Sequence, residues 1–471
     1  MKKNLIVLAM SILPGNVKNV RQDLRVGKFA WENGDSDGHE YYGQLEPIST
    51  MLREKEGSLD RVIILATKDA KKKVYDLDGE QISAVDFYLK RMNLSEKDTK
   101  IIDVEELDFV PAISDTVKEI RRYWKENENN ARLWIDTQGS FRTINLVLNA
   151  VITLLEADGI VPSGIYSMNY NKEKFIQRIV NQTDTYKIFQ FVSGINEFTR
   201  SGRAEQLADY YYQMNEEIPE IIHVMEKIAE AIQMCDMKLF DEYLKALRTL
   251  YKENGAVDEL LGMFVEQIKR DYGKLLEADC SGLDIVEWFY RKGFYQQAIT
   301  YIEAKLPEEW FQKKIISCKM EEGMMDTIKS NLSKFHEKDE NVLIGQIVWE
   351  CFKWRTICEK DEKRDIVRCK NLQQLERGIK KEYENPDNLH KISIVQKING
   401  KNKKIGTMDV TIECRNKQRV MELLLLYKML KNERNNFNHM SDKAVRANRE
   451  QLGNAIRVFI TTGKEVYEDV C

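Results

Sequence analysis

Proline is scarce in this chain, with seven in 471 residues, and that argues against long disordered linkers. Long apolar runs are missing as well: none approaches the ~18 residues that a membrane-spanning helix needs. There is no excess of positive charge. Lys and Arg number 72 against 76 Asp and Glu, a formal net charge of −4, so any surface that attracts nucleic acid must be local. The eight cysteines include no C-x-x-C pair and do not neighbour the five histidines at zinc-ligand spacing. Reduced thiols in a cytosolic protein are expected, with no metal. Two nucleotide signatures, G-x-G-x-x-G and G-x-x-x-x-G-K-S/T, are also absent, so neither a dinucleotide cofactor nor an NTPase loop is indicated.

What is present describes a soluble globular protein, 43% hydrophobic and 31% charged. The length exceeds one core and suggests two or three domains. Met1-Lys2-Lys3 followed by Leu5-Ile6-Val7-Leu8-Ala9-Met10 imitates a signal peptide, but no small-x-small cleavage site follows. Ser11-Ile12-Leu13-Pro14-Gly15-Asn16 comes instead, so the run reads as a buried first strand and its turn.

Strand and helix alternate over 1–185. After the first strand, Glu32 to Glu40 reads as a loop, and Leu45, Ile48, Met51 and Leu52 recur at helical spacing. Strands are expected over 61–67, 100–104 and 131–136. Ser114 is placed to cap a helix whose inner face is Val117, Ile120 and Trp124. A strongly apolar helix is expected from about Phe141 to Glu156. Near-continuous apolar strands separated by helices imply a parallel sheet covered on both faces, a Rossmann-like α/β domain.

In such sheets ligands sit beyond the carboxyl ends of the strands. Two turns there have suitable chemistry, Ser11 to Asn16 and Thr137 to Arg142. Gly15 and Gly139 let backbone approach a ligand, Gly139-Ser140 opens a helix whose free N–H groups favour an anion, and Arg142 adds a fixed charge. Ordinary strand-to-helix turns need Gly and Ser too, and both readings stand at this point.

From about residue 186 to 471 the pattern is amphipathic helix, as in Ile221 to Leu250, Val257 to Leu276, Ile285 to Glu303 and Val342 to Cys358, with Pro307 expected to mark a break. Ile392–Val395 and Met408–Ile412 around Asn399-Gly400 form a hairpin candidate. Between Lys391 and Met408 lie five lysines and no acid, which reads either as a solvated loop or as a track for an RNA backbone.

Near the end, Val420, Leu423, Leu424, Tyr427 and Leu430 make an apolar helix that leads into Arg434-Asn435-Asn436-Phe437-Asn438-His439. A fixed cation, a titratable imidazole and three amides within six residues are the groups needed to hold a phosphate and move protons around it. Residues five apart on an ideal helix are ~140° apart, so Arg434 and His439 share a face only if the helix breaks. Asn432, Asn435, Asn436 and Asn438 are poor helix formers and make a break plausible. Two copies meeting across a two-fold axis would also pool the groups. Ser441 or Asp442 is placed to cap the next helix, with Val445, Leu452, Ile456 and Phe459 inward.

In order, these parts resemble the CARF–HEPN ribonucleases of type III CRISPR systems, in which a Rossmann-like sensor of cyclic oligoadenylate precedes a helical nuclease domain bearing R-x4-6-H. Arg434 to His439 fits that motif, including the Asn after the Arg. Ser11 to Asn16 looks like the post-strand ligand loop. Trp134 to Arg142 is similar to the second ligand segment, though Gln138 and Gly139 stand where one branch has Thr and His. Asp184-Thr185-Tyr186 through Gly202 resembles the join between domains, and Trp288 to Pro307, with Gln296-Gln297-Ala298, resembles a segment of the nuclease half.

The resemblance implies a metal-independent endoribonuclease, without cofactor, that cleaves single-stranded RNA in antiviral defence. The substrate's own 2′-hydroxyl would attack, leaving 2′,3′-cyclic phosphate ends. His439 would act as general base or acid and Arg434 would hold the scissile phosphate, with Asn435 first, then Asn436 and Asn438, orienting the groups. Cyclic tetra- or hexaadenylate would be held by Ser11, Leu13, Pro14, Gly15 and Asn16, and by Thr137, Gln138, Gly139, Ser140 and Arg142. A cytoplasmic homodimer with no membrane partner is implied. Two other readings remain: a HEPN ribonuclease toxin outside CRISPR immunity, and a nucleotide-sensing regulator without catalysis.

Overall fold

Leu5, Ile6, Val7 and Leu8 are apolar without alternation, which suits a strand buried on both faces, and Lys3–Ala9 forms strand β1. The computed structural model describes residues 2–10, 12–13, 26–31, 39–42, 46–105, 107–138, 143–171, 176–214, 217–252, 259–331, 338–352, 357, 360–361, 366–367, 372–382, 391–398, 401–438 and 447–470. Two units divide the chain, Met1–Phe191 and Val192–Cys471. Among the described residues no helix is long and apolar enough to cross a membrane.

In the first unit, β1 is followed by β2 (Val26–Trp31), β3 (His39–Tyr42), α1 (Pro47–Glu56), β4 (Arg61–Ala66), β5 (Tyr75–Leu77), β6 (Glu80–Ile82) and α2 (Ala84–Met92). Then come β7 (Thr99–Asp103), α3 (Val110–Glu126), β8 (Ala131–Asp136), α4 (Ile144–Glu156), β9 (Gly164–Asn171) and β10 (Ile176–Asn181). Eight strands make one sheet in the order β3-β2-β10-β9-β8-β1-β4-β7. From β9 to β7 every pairing is parallel, as the sequence predicts.

Beyond β9 the sheet departs from that expectation. β10 runs antiparallel to β9, and β3 to β2, while β2 and β10 are parallel. These strands interleave polar residues (Ser167, Asn169, Gln177, Arg178), so they lack the continuous apolar run that marks the central ones.

Both faces of the sheet are covered. Ile6 and Leu8 pack with Ile48, Met51 and Leu52 of α1 and with Phe87 and Tyr88 of α2. Leu5 and Val7 pack with Val117 and Ile120 of α3 and with Val147, Leu148 and Val151 of α4. One helix start differs from expectation. α3 begins at Val110, where Pro111 suits the first turn, so Ser114 lies inside the helix and caps nothing. The described part of α4 begins at Ile144, and 141–142 lie outside the described residues.

The division between units falls inside α5 (Thr183–Ser201). The second unit continues with α6 (Glu205–Met214), α7 (Glu220–Met234), α8 (Met237–Lys252), α9 (Glu259–Tyr272), α10 (Gly282–Lys292), α11 (Tyr295–Gln312), β11 (Ile316–Met320), α12 (Met324–Asn331) and α13 (Asp339–Cys351). Short β12 (Lys360–Asp361) and β13 (Ile366–Val367) precede α14 (Leu372–Glu382), β14 (Lys391–Ile398), β15 (Lys401–Ile412), α15 (Lys417–Asn438) and α16 (Arg449–Val470). The fold class is therefore α/β followed by a mainly helical unit with a small sheet.

The expected hairpin is β14–β15, paired from Lys391↔Asp409 to Ile398↔Lys401, and β11 adds a third strand. The lysine run is thus hairpin rather than loop, and Lys403 and Lys404 are exposed on β15. Long helical stretches are cut by left-handed residues: Cys235 between α7 and α8, and Gly293, with φ of 76°, at the end of α10. α15 is buried along its middle. Met421 to Leu430 are all buried, as befits a helix that is apolar on every side, with Glu422 and Lys428 sunk among them.

Candidate functional site

The terminal turn of α15 carries the predicted chemistry. The helix runs unbroken through Asn432, Asn435 and Asn436 and extends to Asn438, so the expected distortion does not fall within it. His439 and the following residues to 446 lie outside the described residues, as does the side chain of Asn438. Asn435 and Asn436 are half-buried.

Arg434 is held from a distant helix. Its Nη1 donates to Glu303 Oε2 of α11 at 2.7 Å, while Lys431 Nζ stands 3.2 Å from Glu303 Oε1. Lys431 and Arg434 are three residues apart and so share a face of α15. The three side chains are 18%, 30% and 15% exposed for Lys431, Arg434 and Glu303 respectively, too enclosed for an ordinary surface pair. Arg434 Nε is buried and has no hydrogen-bond partner among the described residues.

Pro307 explains how Glu303 is placed. It was expected to mark a break, yet it lies inside α11. A proline has no N–H, so the carbonyl four residues earlier, that of Glu303, loses its helical donor. Asn341 Nδ2 of α13 supplies the replacement, 3.2 Å from Glu303 O and 3.5 Å from Ala304 O. The helix continues because a side chain completes it.

Next to Arg434, Glu433 is fully buried. Its Oε1 accepts from the Ile357 N–H at 3.2 Å and its Oε2 from the Ala447 N–H at 3.3 Å. One carboxylate therefore ties the end of α15 both to Ile357 and to Ala447, two residues before α16. That helix is capped by Asn448, whose Oδ1 accepts from the Gln451 N–H at 2.8 Å while Gln451 Oε1 accepts from the Asn448 N–H at 2.9 Å. Ser441 and Asp442, the expected caps, and Val445, expected on the inner face, lie outside the described residues. Leu452, Ile456 and Phe459 are buried, as expected.

In the first unit the two turns leave β1 and β8, which pair directly, Leu8 opposite Asp136. Ser11, Pro14, Gly15, Asn16, Gly139, Ser140 and Arg142 lie outside the described residues. Leu13 is buried in the core, and its carbonyl accepts from the Tyr75 hydroxyl at 2.9 Å. Thr137 spends its backbone N–H and its hydroxyl on the Tyr166 carbonyl, at 2.9 and 3.0 Å. Gln138 donates its backbone N–H to Asp136 Oδ1 at 2.8 Å, but both polar atoms of its side chain are buried without a partner among the described residues. Burial pushes the Asp136 carboxyl up to about 7, with the Gln138 N–H pulling the other way.

Sequence reasoning missed Glu303, Lys431 and Glu433. Lys431 was visible as a cation one turn before Arg434. Glu303 lies 131 residues upstream of its partner, and nothing in its own neighbourhood marks it.

No family model matches the chain, and no curated protein matches it. Among solved structures it is similar to Enterococcus italicus Csm6 bound to cyclic hexa-2′-fluoro-hexa-dAMP, at 10% identity and a TM-score of 0.34, over 99% of this chain and 94% of that one.

Proposed function

We propose that this chain is a cyclic-oligoadenylate-activated ribonuclease of the CARF–HEPN kind, acting in CRISPR antiviral defence. The observation that carries the reading is Arg434: a guanidinium near the end of α15, held at Nη1 by Glu303, with a buried Nε unpartnered among the described residues, five residues before His439 in sequence. The order of motifs along the chain supports it.

The chemistry follows from those groups. The RNA's 2′-hydroxyl attacks the adjacent phosphorus, and His439, with an unperturbed pKa of ~6.5, takes or gives the proton. Arg434 neutralises charge that grows on the phosphate oxygens in the pentacoordinate transition state. Asn435 and Asn436 stand one and two residues on, candidates to orient either group. The 5′-oxygen leaves and a 2′,3′-cyclic phosphate remains, so DNA, which lacks the attacking group, is not cleaved. No metal takes part in these steps.

Cyclic tetra- or hexaadenylate would bind at the turns after β1 and β8, where the Gln138 amide offers an unused donor and acceptor. To activate, the ring must bind one state of a homodimer better than another, and a coupling of ~1–3 kcal/mol would raise activity only ~5–150-fold. The test is RNA cleavage by wild type and His439→Ala, with and without each ring. Cleavage that needs a ring and is lost in the variant is expected. Cleavage indifferent to both rings removes the sensor, and no cleavage under any condition removes the enzyme.

A further inference from the structure

We propose that Glu303 is a positioning residue for Arg434 and that Lys431 is a second phosphate-binding cation, so that the phosphate site is a three-residue unit drawn from α11 and α15. The proposal rests on the ribonuclease reading and goes one layer beneath it.

Three observations carry it. Glu303 lies between two cations on one face of α15, with both carboxylate oxygens used, Oε2 by Arg434 at 2.7 Å and Oε1 by Lys431 at 3.2 Å. The charges of the trio sum to one positive, which one phosphodiester brings to neutrality. With Nη1 engaged by Glu303, the buried Nε has no hydrogen-bond partner among the described residues, and a guanidinium held through one nitrogen keeps further N–H groups with which to meet a phosphate.

Glu303 is also anchored through its backbone. Pro307 removes the helical donor from its carbonyl, and Asn341 holds that carbonyl from α13. The turn of α11 that aims the carboxylate is therefore fixed by a second helix. A contact of incidental surface charge has no such support, and exposed pairs contribute only ~0–1 kcal/mol.

Glu303 has two opposed effects on RNA. It orients the cation that the transition state needs, and it repels the phosphate that the cation attracts. Its removal should therefore tighten ground-state binding while slowing turnover, a split that loss of folded protein cannot produce.

The experiment measures cleavage of a single-stranded RNA, with cyclic tetra- and hexaadenylate present, and binding of the same RNA carrying a 2′-deoxy sugar at the cut position. Glu303→Gln should lower kcat about tenfold or more while the dissociation constant of the deoxy RNA falls about two- to fivefold. Glu303→Asp should recover part of the rate. Lys431→Met should weaken binding and reduce the slope of log affinity against log salt by about 0.7, the value for one phosphate contact on a single strand.

Wild-type turnover in Glu303→Gln, or faster turnover, overturns the positioning role. An unchanged salt slope in Lys431→Met overturns the second cation. If wild type cleaves no RNA, the ribonuclease reading fails, and the binding measurements still decide whether the trio holds phosphate.

Discussion

Asn341 Nδ2 lies 3.2 Å from the carbonyl oxygen of Glu303, the group that Pro307 leaves without a helical donor. Asn341 is buried, so Asn341→Leu should orphan that carbonyl and cost ~1–3 kcal/mol. Pro307→Ala restores an N–H at position 307, and in that background the same Asn341→Leu change should cost at least ~1 kcal/mol less. Urea unfolding of the four proteins measures the coupling. Equal costs in both backgrounds would mean that the two residues act separately.

Glu433 makes a second test of stability. In Glu433→Gln the new amide nitrogen faces a backbone N–H, either that of Ile357 or that of Ala447, and one donor loses its acceptor. A loss of ~1–3 kcal/mol is expected. Hydrogen exchange at the Ala447 and Ile357 amides should quicken in the variant. If both exchange as in wild type, the carboxylate does not hold that junction.

Asp136 gives the first unit a pH dependence of definite sign. In the folded chain its carboxyl keeps a proton up to about 7, because burial disfavours the charge, whereas the ordinary value is 3.8. Between those values the unfolded chain binds fewer protons, so this group's contribution to stability falls as pH rises and is fully lost above about 7. Asp136→Asn should flatten that slope, at ~1.4 kcal/mol per pKa unit removed. Native-state hydrogen exchange of β8 amides between about pH 5 and 8 reads it. A slope that persists in the variant assigns the effect to another group.

Gln138 sets function against stability. Both polar atoms of its side chain are buried and unpartnered among the described residues, a state that costs ~1–3 kcal/mol per orphaned group. Gln138→Leu should therefore raise the melting temperature of the ligand-free chain and raise the ring concentration needed for half-maximal RNA cleavage. Stabilisation with an unchanged activator response would show that the amide is a structural blemish and does not meet the ring.

The readable parts of this chain were those in which one property repeats. Leu5–Leu8, Val62–Leu65 and Leu133–Ile135 are apolar without interruption, and each is a central strand. β9 and β10 lie inside the sheet, but polar residues interrupt their sequences, so no continuous apolar run marks them as strands. Pro307 misled for a local reason: its lost hydrogen bond is repaired by Asn341, which no spacing within α11 reveals. Arg434 was found from its neighbours in sequence, while Glu303 could be found only from its neighbours in space.

The burial of α15 on every side has a consequence for length. Adding one residue between Val420 and Arg434 would turn everything beyond it by ~100° and advance it by ~1.5 Å. Arg434 and Lys431 would swing away from Glu303, and apolar side chains would rotate out of register with α11, α13 and α16. No loop within this stretch exists to absorb the change. Relatives sharing the arrangement should thus vary freely in the connections before β14 and not at all in the count of residues from Val420 to Arg434: the helix works as a ruler, and the cation sits at a fixed mark on it.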